Sequence, residues 1–315
     1  MSKFVNKRTV RCKVETTYNT DATPTVADSF QVASLKWTQS DAKVAERTIS
    51  SGTRVPPPGV FVGSLYEVSF EAEVKGSGTA GTAPKGLGAA LQAAGFKETI
   101  VAVTSVTYKV DSVADKSATI WFKDGDEDEW RLTGCRGQVT FEENAGEFTK
   151  AKFTIRGHLG QTPTNTAAWT NTYDATTPVA LLNVPIVIGG ITFDQSKVTI
   201  DIGNEVAAPA LLNGADGFGE IRIPKRAPKL TATIFPPPAA TASPLADLAA
   251  NTVKTITQVV IGATGGNKYQ FTFAGGGKYL SVGDGDADGV VTYDVELGLL
   301  ESALGADNEL SLIFT

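Results

Sequence analysis

Residues 17–24 read TYNTDATP and residues 171–178 read NTYDATTP, so a short polar segment occurs twice in the chain. An apolar run that ends at Trp37 follows the first copy, and another that ends at Phe193 follows the second. Each is followed by a loop rich in proline and glycine, an alternating strand, a flexible stretch, a short Ala/Leu-rich helix and a closing set of strands. A repeat of this length is typical of one fold made twice in tandem.

Length and composition also favour two domains. The 315 residues exceed the roughly 250–300 at which a single core stops growing. We therefore predict two β domains, residues 1–162 and 163–315, divided in the polar segment QTPTNT at 161–166. The net charge of −6 and the pI of about 5.0 argue against tight, nonspecific nucleic-acid binding, which needs clustered cations. A surface past which DNA slides without being held stays compatible with this charge.

The N-terminal residues MSKFVNKR contain no apolar run of the length that a signal peptide needs. No stretch approaches the ~18 consecutive apolar residues of a membrane span, so we expect neither a signal nor a span. Cys12 and Cys135 are the only cysteines. Two cysteines do not make a disulfide framework, and we predict both to be small, buried apolar side chains in a reducing compartment.

In the first half, alternation and loop residues indicate the elements. Residues 67–74 alternate, with Val68, Phe70 and Ala72 on one face. Residues 38–64 contain VPPPG at 55–59 and predict a long excursion, because three prolines cannot donate to a ladder. Residues 87–95 predict a short helix that ends at Gly95. The predicted strands are 10–14, 30–37, 67–74, 101–110, 118–122, 129–133, 138–141 and 149–156.

The second half repeats this plan. Its excursion is 203–219, its proline-rich connector is 236–244 and its helix is 245–250. The predicted strands are 184–193, 197–202, 220–223, 230–235, 255–261, 268–273, 279–282, 290–297 and 309–314. The fold class is therefore mainly β: two tandem sandwich or barrel domains, each with one short helix and a long loop excursion.

Two acidic segments resemble metal loops but are better explained as turns. Residues 284–289, DGDADG, begin like an EF-hand loop, yet its twelfth position is Val295 and strands flank it. A hairpin turn is the better interpretation. The segment DGDEDE at 124–129 lies between two strand-like runs and is interpreted in the same way.

The chain offers no constellation that supports an enzyme. His158 is the only histidine, which excludes a His-rich metal site and makes a Ser-His-Asp catalyst doubtful. A structural or exposed role is the default for it. The triplet Gly275–Gly277 lacks the Lys-Ser/Thr ending of a phosphate loop and predicts a turn between strands. We predict no catalytic residue, no metal site and no cofactor.

Two rows of charge have two possible roles. The acidic row consists of Glu67, Glu71 and Glu73, and the basic row consists of Lys150, Lys152 and Arg156. If their strands are neighbours, the rows pair across the sheet for a modest gain in stability. If they are not, each row lines a surface on which something passes or docks.

Several ordered blocks resemble the major tail tube protein of long, non-contractile-tailed bacteriophages. The resemblance spans nearly the whole chain and rests on these blocks rather than on a catalytic signature. The blocks are EVSFEAEV (67–74), GSGTAG (76–81), LQAAGF (91–96), TSVTY (104–108), LTGCRGQVTF (132–141), DIGNEV (201–206), DGFGEIRI (216–223) and TYDV (292–295).

The resemblance implies a structural virion protein that stacks as rings into a hollow tube. Most family members supply one tube domain to a hexameric ring, so a two-domain chain implies trimers that imitate hexamers. Its implied partners are other copies, the tape-measure protein in the lumen, the tail terminator and distal tail proteins at the ends, and genomic DNA in transit without specific binding. Assembly would take place in the host cytoplasm without a membrane.

The resemblance and the sequence pattern together indicate candidate residues for the lumen and for the contacts between rings. The lumen candidates are Glu67, Glu71, Glu73 and Glu220, because a wall past which DNA moves should not be basic. The candidates for contact between rings lie in the two excursions. They are Arg54, Val55, Pro56, Pro57, Pro58, Leu211 and Leu212.

Two other classes of protein stay open as alternatives. One is a different virion part, such as a distal tail or decoration protein, and the other is a β-sandwich carbohydrate-binding module. A lectin needs clustered exposed aromatic side chains, and the four tryptophans, at 37, 121, 130 and 169, are widely spread in sequence. An enzyme comes third, because there is a single histidine.

Overall fold

Antiparallel strands dominate the computed structural model, which describes residues 4–50, 52–113, 115–125 and 127–315. The mainly β fold class is confirmed. The first-half strands are β1 (Thr9–Val14), β2 (Ser29–Phe30), β3 (Ala33–Ala45), β4 (Val60–Glu73), β5 (Phe96–Val101), β6 (Ser105–Val110), β7 (Ala118–Asp124), β8 (Asp128–Asn144) and β9 (Lys150–Asn165).

The second half is built in the same way. Its strands are β10 (Ile186–Ile188), β11 (Ile191–Thr192), β12 (Asp194–Asp201), β13 (Asn204–Ala207), β14 (Arg222–Arg226), β15 (Lys229–Phe235), β16 (Val253–Gln258), β17 (Tyr269–Ala287), β18 (Val290–Leu299) and β19 (Ser311–Phe314). The helices are α1 (Leu87–Ala93) and α2 (Pro244–Ala249), with 3-10 turns at Val5–Lys7 and Val26–Asp28.

One continuous antiparallel sheet joins the two halves. Eight of its 17 strands, which we call the eight-stranded sheet, lie in the order β3, β4, β9, β8, β12, β15, β18, β17. The junction between the halves is the ladder of β8 with β12, in which Phe141 lies opposite Ile200. Four strands on each side of this junction come from one half of the chain.

Among the described residues, six strand pairings of each half have a counterpart in the other half. In the first half β1 pairs with β2 and β7, and β8 pairs with β7 and β9. In the second half β10 pairs with β11 and β16, and β17 pairs with β16 and β18. The hairpin of β5 and β6 has no such counterpart, and β19 pairs with both β6 and β17.

The octapeptides that prompted this comparison lie at different points of the strand order. The first copy lies between β1 and β2, whereas the second precedes β10. Their similarity therefore does not mark equivalent positions, and the likeness of the halves rests on the strand connectivity.

Helix α1 forms where the sequence predicts it. Ala and Leu favour the helix, and Leu87 and Leu91 are both buried. Full burial of a leucine side chain stabilises a fold by about 1.5–3 kcal/mol, so these contacts hold the helix on the sheet. Gly95 ends it with a φ of +88°, a conformation that glycine adopts without strain. Among the described residues, neither α-helix is long and apolar enough to cross a membrane.

Several predicted boundaries are wrong. The 38–64 excursion is largely a hairpin, because β3 runs to Ala45 and β4 begins at Val60, which leaves 46–59 as its irregular end. The predicted strand 101–110 contains the end of β5, a turn and β6, while 129–133 and 138–141 belong to one long strand, β8. Gly275–Gly277 lie inside β17, where neighbouring backbone comes so close that a Cβ on Gly275 would lie 2.1 Å from the Leu300 carbonyl oxygen.

The predicted division at residues 162 and 163 lies inside β9, which ends at Asn165. The irregular segment after it is fixed to the first half by a buried lysine and a buried arginine. Lys123 Nζ donates to the carbonyls of Thr166 (2.8 Å) and Ala167 (2.6 Å). The Arg11 guanidinium stacks 4.2 Å from the Trp169 ring centre. The predicted division therefore falls within a strand of the first half, and the segment that follows this strand binds the first half as well.

Candidate assembly surface

The face of the eight-stranded sheet that points away from the core is mostly polar, with Leu280 as an exposed apolar side chain on β17. Val68, Phe70 and Ala72 point into the core, so the residues between them point to this outer face. Cross-strand register carries the same face through the junction, from Thr140 on β8 to Asp201 on β12. The charged residues that register places on this face are Lys36, Glu67, Glu71, Glu73, Arg136, Glu142, Lys150, Lys152, Arg156, Lys197, Asp201, Lys229, Lys278, Asp294 and Glu296.

The acidic and basic rows lie opposite each other on β4 and β9. Register pairs Glu67 with Arg156, Glu71 with Lys152 and Glu73 with Lys150. Arg156 Nε lies 3.3 Å from a Glu67 carboxylate oxygen, and Lys152 Nζ lies 4.0 Å from Glu71. Of the two roles predicted for the rows, the structure therefore shows cross-strand pairing. Such exposed pairs contribute about 0–1 kcal/mol each.

Opposite charges are also paired on this face outside the acidic and basic rows. Lys152 Nζ also lies 2.8 Å from a Glu142 oxygen on β8, and Lys229 lies 2.9 Å from Glu296. A hydrogen bond to Glu147 raises the pKa of Lys150, so this amine stays charged. The outer face thus alternates in sign instead of carrying one strong charge.

Glu220 lies outside the strands of this sheet, next to the β8 position that register pairs with Arg156. Its carboxylate lies 2.9 Å from Arg136 Nη1 and 3.0 Å from Arg222 Nη2. Burial tends to raise the pKa of Glu220, but the hydrogen bonds from the two arginines outweigh it, and the net shift is downward. Arg136 also donates to the Ile221 carbonyl. Glu220 therefore serves to fix the end of the second excursion on β8.

The end of the β3–β4 hairpin carries exposed apolar side chains. Val55 is 73% exposed and Phe61, at the start of β4, is 57% exposed. Neighbouring exposed apolar side chains are typical of a surface that a partner covers. The candidates Arg54–Pro58 all lie in this end. Ser51 lies outside the described residues.

The second excursion packs on the middle of the same hairpin. Leu65, Phe218 and Ile221 form a small buried cluster separate from the main core. Lys43 Nζ lies 3.0 Å from the Gly217 carbonyl oxygen and 3.7 Å from the centre of the Phe218 ring. The excursion is thus a folded element, with strands β13 and β14 at its base. Leu212 at its end is fully exposed, and Leu211 is 45% exposed.

His158 has a structural role, one of the two predicted for it. Its Nδ1 lies 2.6 Å from an Asp216 oxygen, and its Nε2 lies 3.0 Å from the Tyr18 hydroxyl. The Tyr18 oxygen in turn accepts a hydrogen bond from the Ile221 amide at 2.7 Å. Three distant segments meet here, and no local pattern in the sequence marks the contact.

Two of the tryptophans cluster after all. The ring centres of Trp37 and Trp130 lie 4.3 Å apart, and Tyr66 lies 5.9 Å from Trp130. Trp37 on β3, Tyr66 on β4 and Trp130 on β8 are far apart in sequence, and the fold of the sheet brings their rings together. All three rings are half-buried against the core, so they stabilise the sheet instead of forming an open stacking platform.

The acidic turn at 284–289 is the tip of the β17–β18 hairpin, as predicted. Asp288 and Gly289 have φ values of +52° and +81°, which suit a two-residue hairpin turn. The other acidic segment connects β7 to β8, in which Asp124 lies opposite Asp128. Asp126 lies outside the described residues.

A family model described as phage tail tube protein matches residues 6–298. The chain belongs to this family. Phage tail tube proteins are structural components of the virion, and the resemblance drawn from the sequence blocks is confirmed. No curated protein matches the chain. The outer face of the sheet and the end of the β3–β4 hairpin are therefore surfaces of a tail tube protein.

Proposed function

We propose that the chain forms closed rings by pairing the two free edges of its eight-stranded sheet, and that these rings stack into the tail tube. The observation that carries this proposal is the β8–β12 junction. It joins two four-stranded units edge to edge within one chain, so the same geometry can join one chain to the next.

The correspondence of the strands identifies the edges. Since β8 corresponds to β17 and β12 corresponds to β3, the counterpart of the β8–β12 ladder is a ladder between β17 of one copy and β3 of the next. Among the described residues, β3 has a ladder with β4 alone, and residues 279–287 of β17 pair with β18 alone. Unpaired edges are templates for pairing with another chain, and a closed ring removes them.

The tandem units also account for the size of the ring. Each copy supplies two four-stranded units, so three copies supply the six units of a hexamer of single-domain subunits. We infer that residues 1–165 and 166–315 are tandem tube domains and that the ring is a homotrimer.

The polar outer face then becomes the wall of the lumen. The acidic row lies on it together with its basic partners, so the wall is close to neutral and does not hold DNA phosphates strongly. Glu220 is replaced as a lumen candidate, because it lies off this sheet. The tape-measure protein fills the lumen before ejection, and genomic DNA passes through it afterwards.

The hairpin end and Leu211–Leu212 are proposed to contact the next ring. Their exposed apolar side chains lose water when a neighbouring ring covers them. The terminator and distal tail proteins then occupy the two ends of the stack, and assembly takes place in the host cytoplasm.

Disulfide formation across the proposed edge tests the ring. Lys36 on β3 and Ser281 on β17 both lie on the outer face near the free edges. The double variant Lys36→Cys, Ser281→Cys should give covalent dimers and trimers under mild oxidation, with trimers as the largest product from single rings. Each single variant is the matched control and should not form trimers. Sedimentation as a monomer, together with an absence of covalent trimers and of tubes in electron micrographs, contradicts the proposal.

A further inference from the structure

A cluster of three carboxylates lies outside the proposed assembly surface. One oxygen each from Glu301, Asp307 and Glu309 lie within 4.8 Å of one another. All three come from the segment between β18 and β19. Glu301 and Glu309 line an open cavity of about 380 Å³, whose other charged lining residues are Asp111, Asp115, Lys225 and Arg226. Oxygen atoms at this spacing can be ligands of one hard cation.

Glu309 gives the second observation. Its side chain is 6% exposed, and its Oε1 accepts a hydrogen bond from Arg226 Nε at 2.5 Å. Its Oε2 is buried and has no hydrogen-bond partner among the described residues. A buried carboxylate oxygen without a partner loses its hydration without compensation, and a cation or a water molecule bound at this oxygen would supply that compensation.

Charge indicates which ligand fits. Arg226 Nη2 also lies 2.5 Å from an Asp307 oxygen, so one guanidinium serves two of the three carboxylates. Three carboxylates and one guanidinium leave two negative charges, which match a divalent cation. Burial raises the pKa of nearby Asp115, consistent with a cavity in which further negative charge is costly.

The remaining contacts orient the three carboxylates. Glu301 accepts a hydrogen bond from the Gly305 amide at 2.7 Å. Asp307 accepts bonds from the Ser112 hydroxyl (2.5 Å) and the Ser112 amide (3.1 Å). The carboxylates are thus held by a turn of their own segment and by the chain that follows β6.

We propose that Glu301, Asp307 and Glu309 bind a divalent cation, with Ca²⁺ preferred over Mg²⁺. Calcium accepts irregular sets of six to eight oxygens, and the open cavity admits the waters that complete its shell. Magnesium requires near-octahedral geometry and gives up its waters reluctantly. The bound ion fixes the β18–β19 segment of the second half to the chain after β6 in the first half.

Calorimetric titration of the purified protein with CaCl₂ tests the site, after treatment with a chelator and at constant ionic strength. We expect one Ca²⁺ per chain, a dissociation constant of about 10⁻⁴–10⁻³ M, and a rise in the unfolding temperature that MgCl₂ reproduces only weakly. Glu301→Gln should keep the Gly305 hydrogen bond and weaken binding at least about tenfold. Glu309→Gln should also weaken Ca²⁺ binding at least about tenfold, provided that this variant folds.

Asp286→Asn is the matched control, because Asp286 belongs to the calcium-like segment 284–289 and its Oδ1 accepts from the Gly289 amide. Asparagine keeps that bond, and this variant should bind Ca²⁺ normally. Loss of binding in Asp286→Asn, unchanged binding in Glu301→Gln, or no heat and no thermal shift with CaCl₂ each overturns the site. An equal response to Mg²⁺ overturns the preference for calcium.

Discussion

Arg156 on β9 lies opposite Glu67 on β4, with its Nε 3.3 Å from the carboxylate. Its Nη1 also lies 3.2 Å from Asp41 on β3. One arginine therefore connects three adjacent strands across the outer face of the sheet. Charges on this face cannot be changed one row at a time without a cost in stability.

The first prediction concerns that cost. Replacing Glu67, Glu71 and Glu73 with lysine should lower the free energy of unfolding by about 1–3 kcal/mol, because it removes attraction and adds like-charge repulsion across the ladder. In assembled virions it should also slow genome ejection, since a basic wall attracts phosphates. The ejection defect should shrink at high salt.

A charge-swapped variant separates the two effects. Adding Lys150→Glu, Lys152→Glu and Arg156→Glu to the triple lysine variant restores opposite-sign pairs and the net charge of the face. It should restore the ejection rate but only part of the stability, because carboxylates at positions 150, 152 and 156 would face Glu147, Glu142 and Asp41. Partial recovery of stability with ejection unchanged by either variant would show that the face does not line the lumen.

The second prediction concerns the hairpin end. Deletion of residues 50–59 should leave β3 and β4 intact, because shortening a loop costs little closure entropy. The subunit should unfold at nearly its normal temperature but fail to extend tubes in an assembly assay followed by electron microscopy. Tubes that grow at the normal rate would exclude this end as the stacking contact.

The third prediction concerns Leu65, which joins the hairpin to the second excursion. It is fully buried between Phe218 and Ile221. Leu65→Ala should cost about 2–5 kcal/mol in this small cluster and speed amide hydrogen exchange in residues 208–221. Val60→Ala nearby is the matched control, since that side chain is 58% exposed. Unchanged exchange in Leu65→Ala would mean that the excursion is held by other contacts.

Strand β4 and helix α1 could be predicted because their patterns are local. Val68, Phe70 and Ala72 alternate with polar residues, and Gly95 marks the helix end. The outer part of β3 has no such signal, since both of its faces are largely exposed and only pairing with β4 makes it a strand. Gly275–Gly277 suggest a turn in sequence but allow a close backbone approach in the fold.

Some candidate sites could likewise be predicted from a local sequence pattern, whereas others depend on residues far apart in the chain. The acidic row and its basic partners could be found by alternation along single strands. The carboxylate cluster could not, because Arg226 and Ser112 orient it from far along the chain, and the acidic segment 284–289 is a stronger but misleading local signal. Pairing of β8 with β12 likewise depends on two strands more than fifty residues apart.

The last prediction concerns Glu143, a buried carboxyl on β8 opposite Val198 on β12. Burial raises its pKa from 4.5 to about 7, although hydrogen bonds from Gln258 and Thr149 oppose the shift. Since the folded pKa lies above the unfolded one, this group's stabilising contribution is complete below about pH 4.5. It is lost as the pH rises to about 7, by roughly 3 kcal/mol at most.

Glu143→Gln should therefore flatten this part of the pH dependence and make the protein more stable than the parent at pH 8, but not at pH 4.5. Denaturant unfolding at both pH values measures the difference. Glu142→Gln is the matched control, because Glu142 is the adjacent residue on the opposite face and contacts Lys152. It should keep the parent's loss of stability between the two pH values. The same loss in Glu143→Gln would show that this buried carboxyl does not set the pH response of the junction.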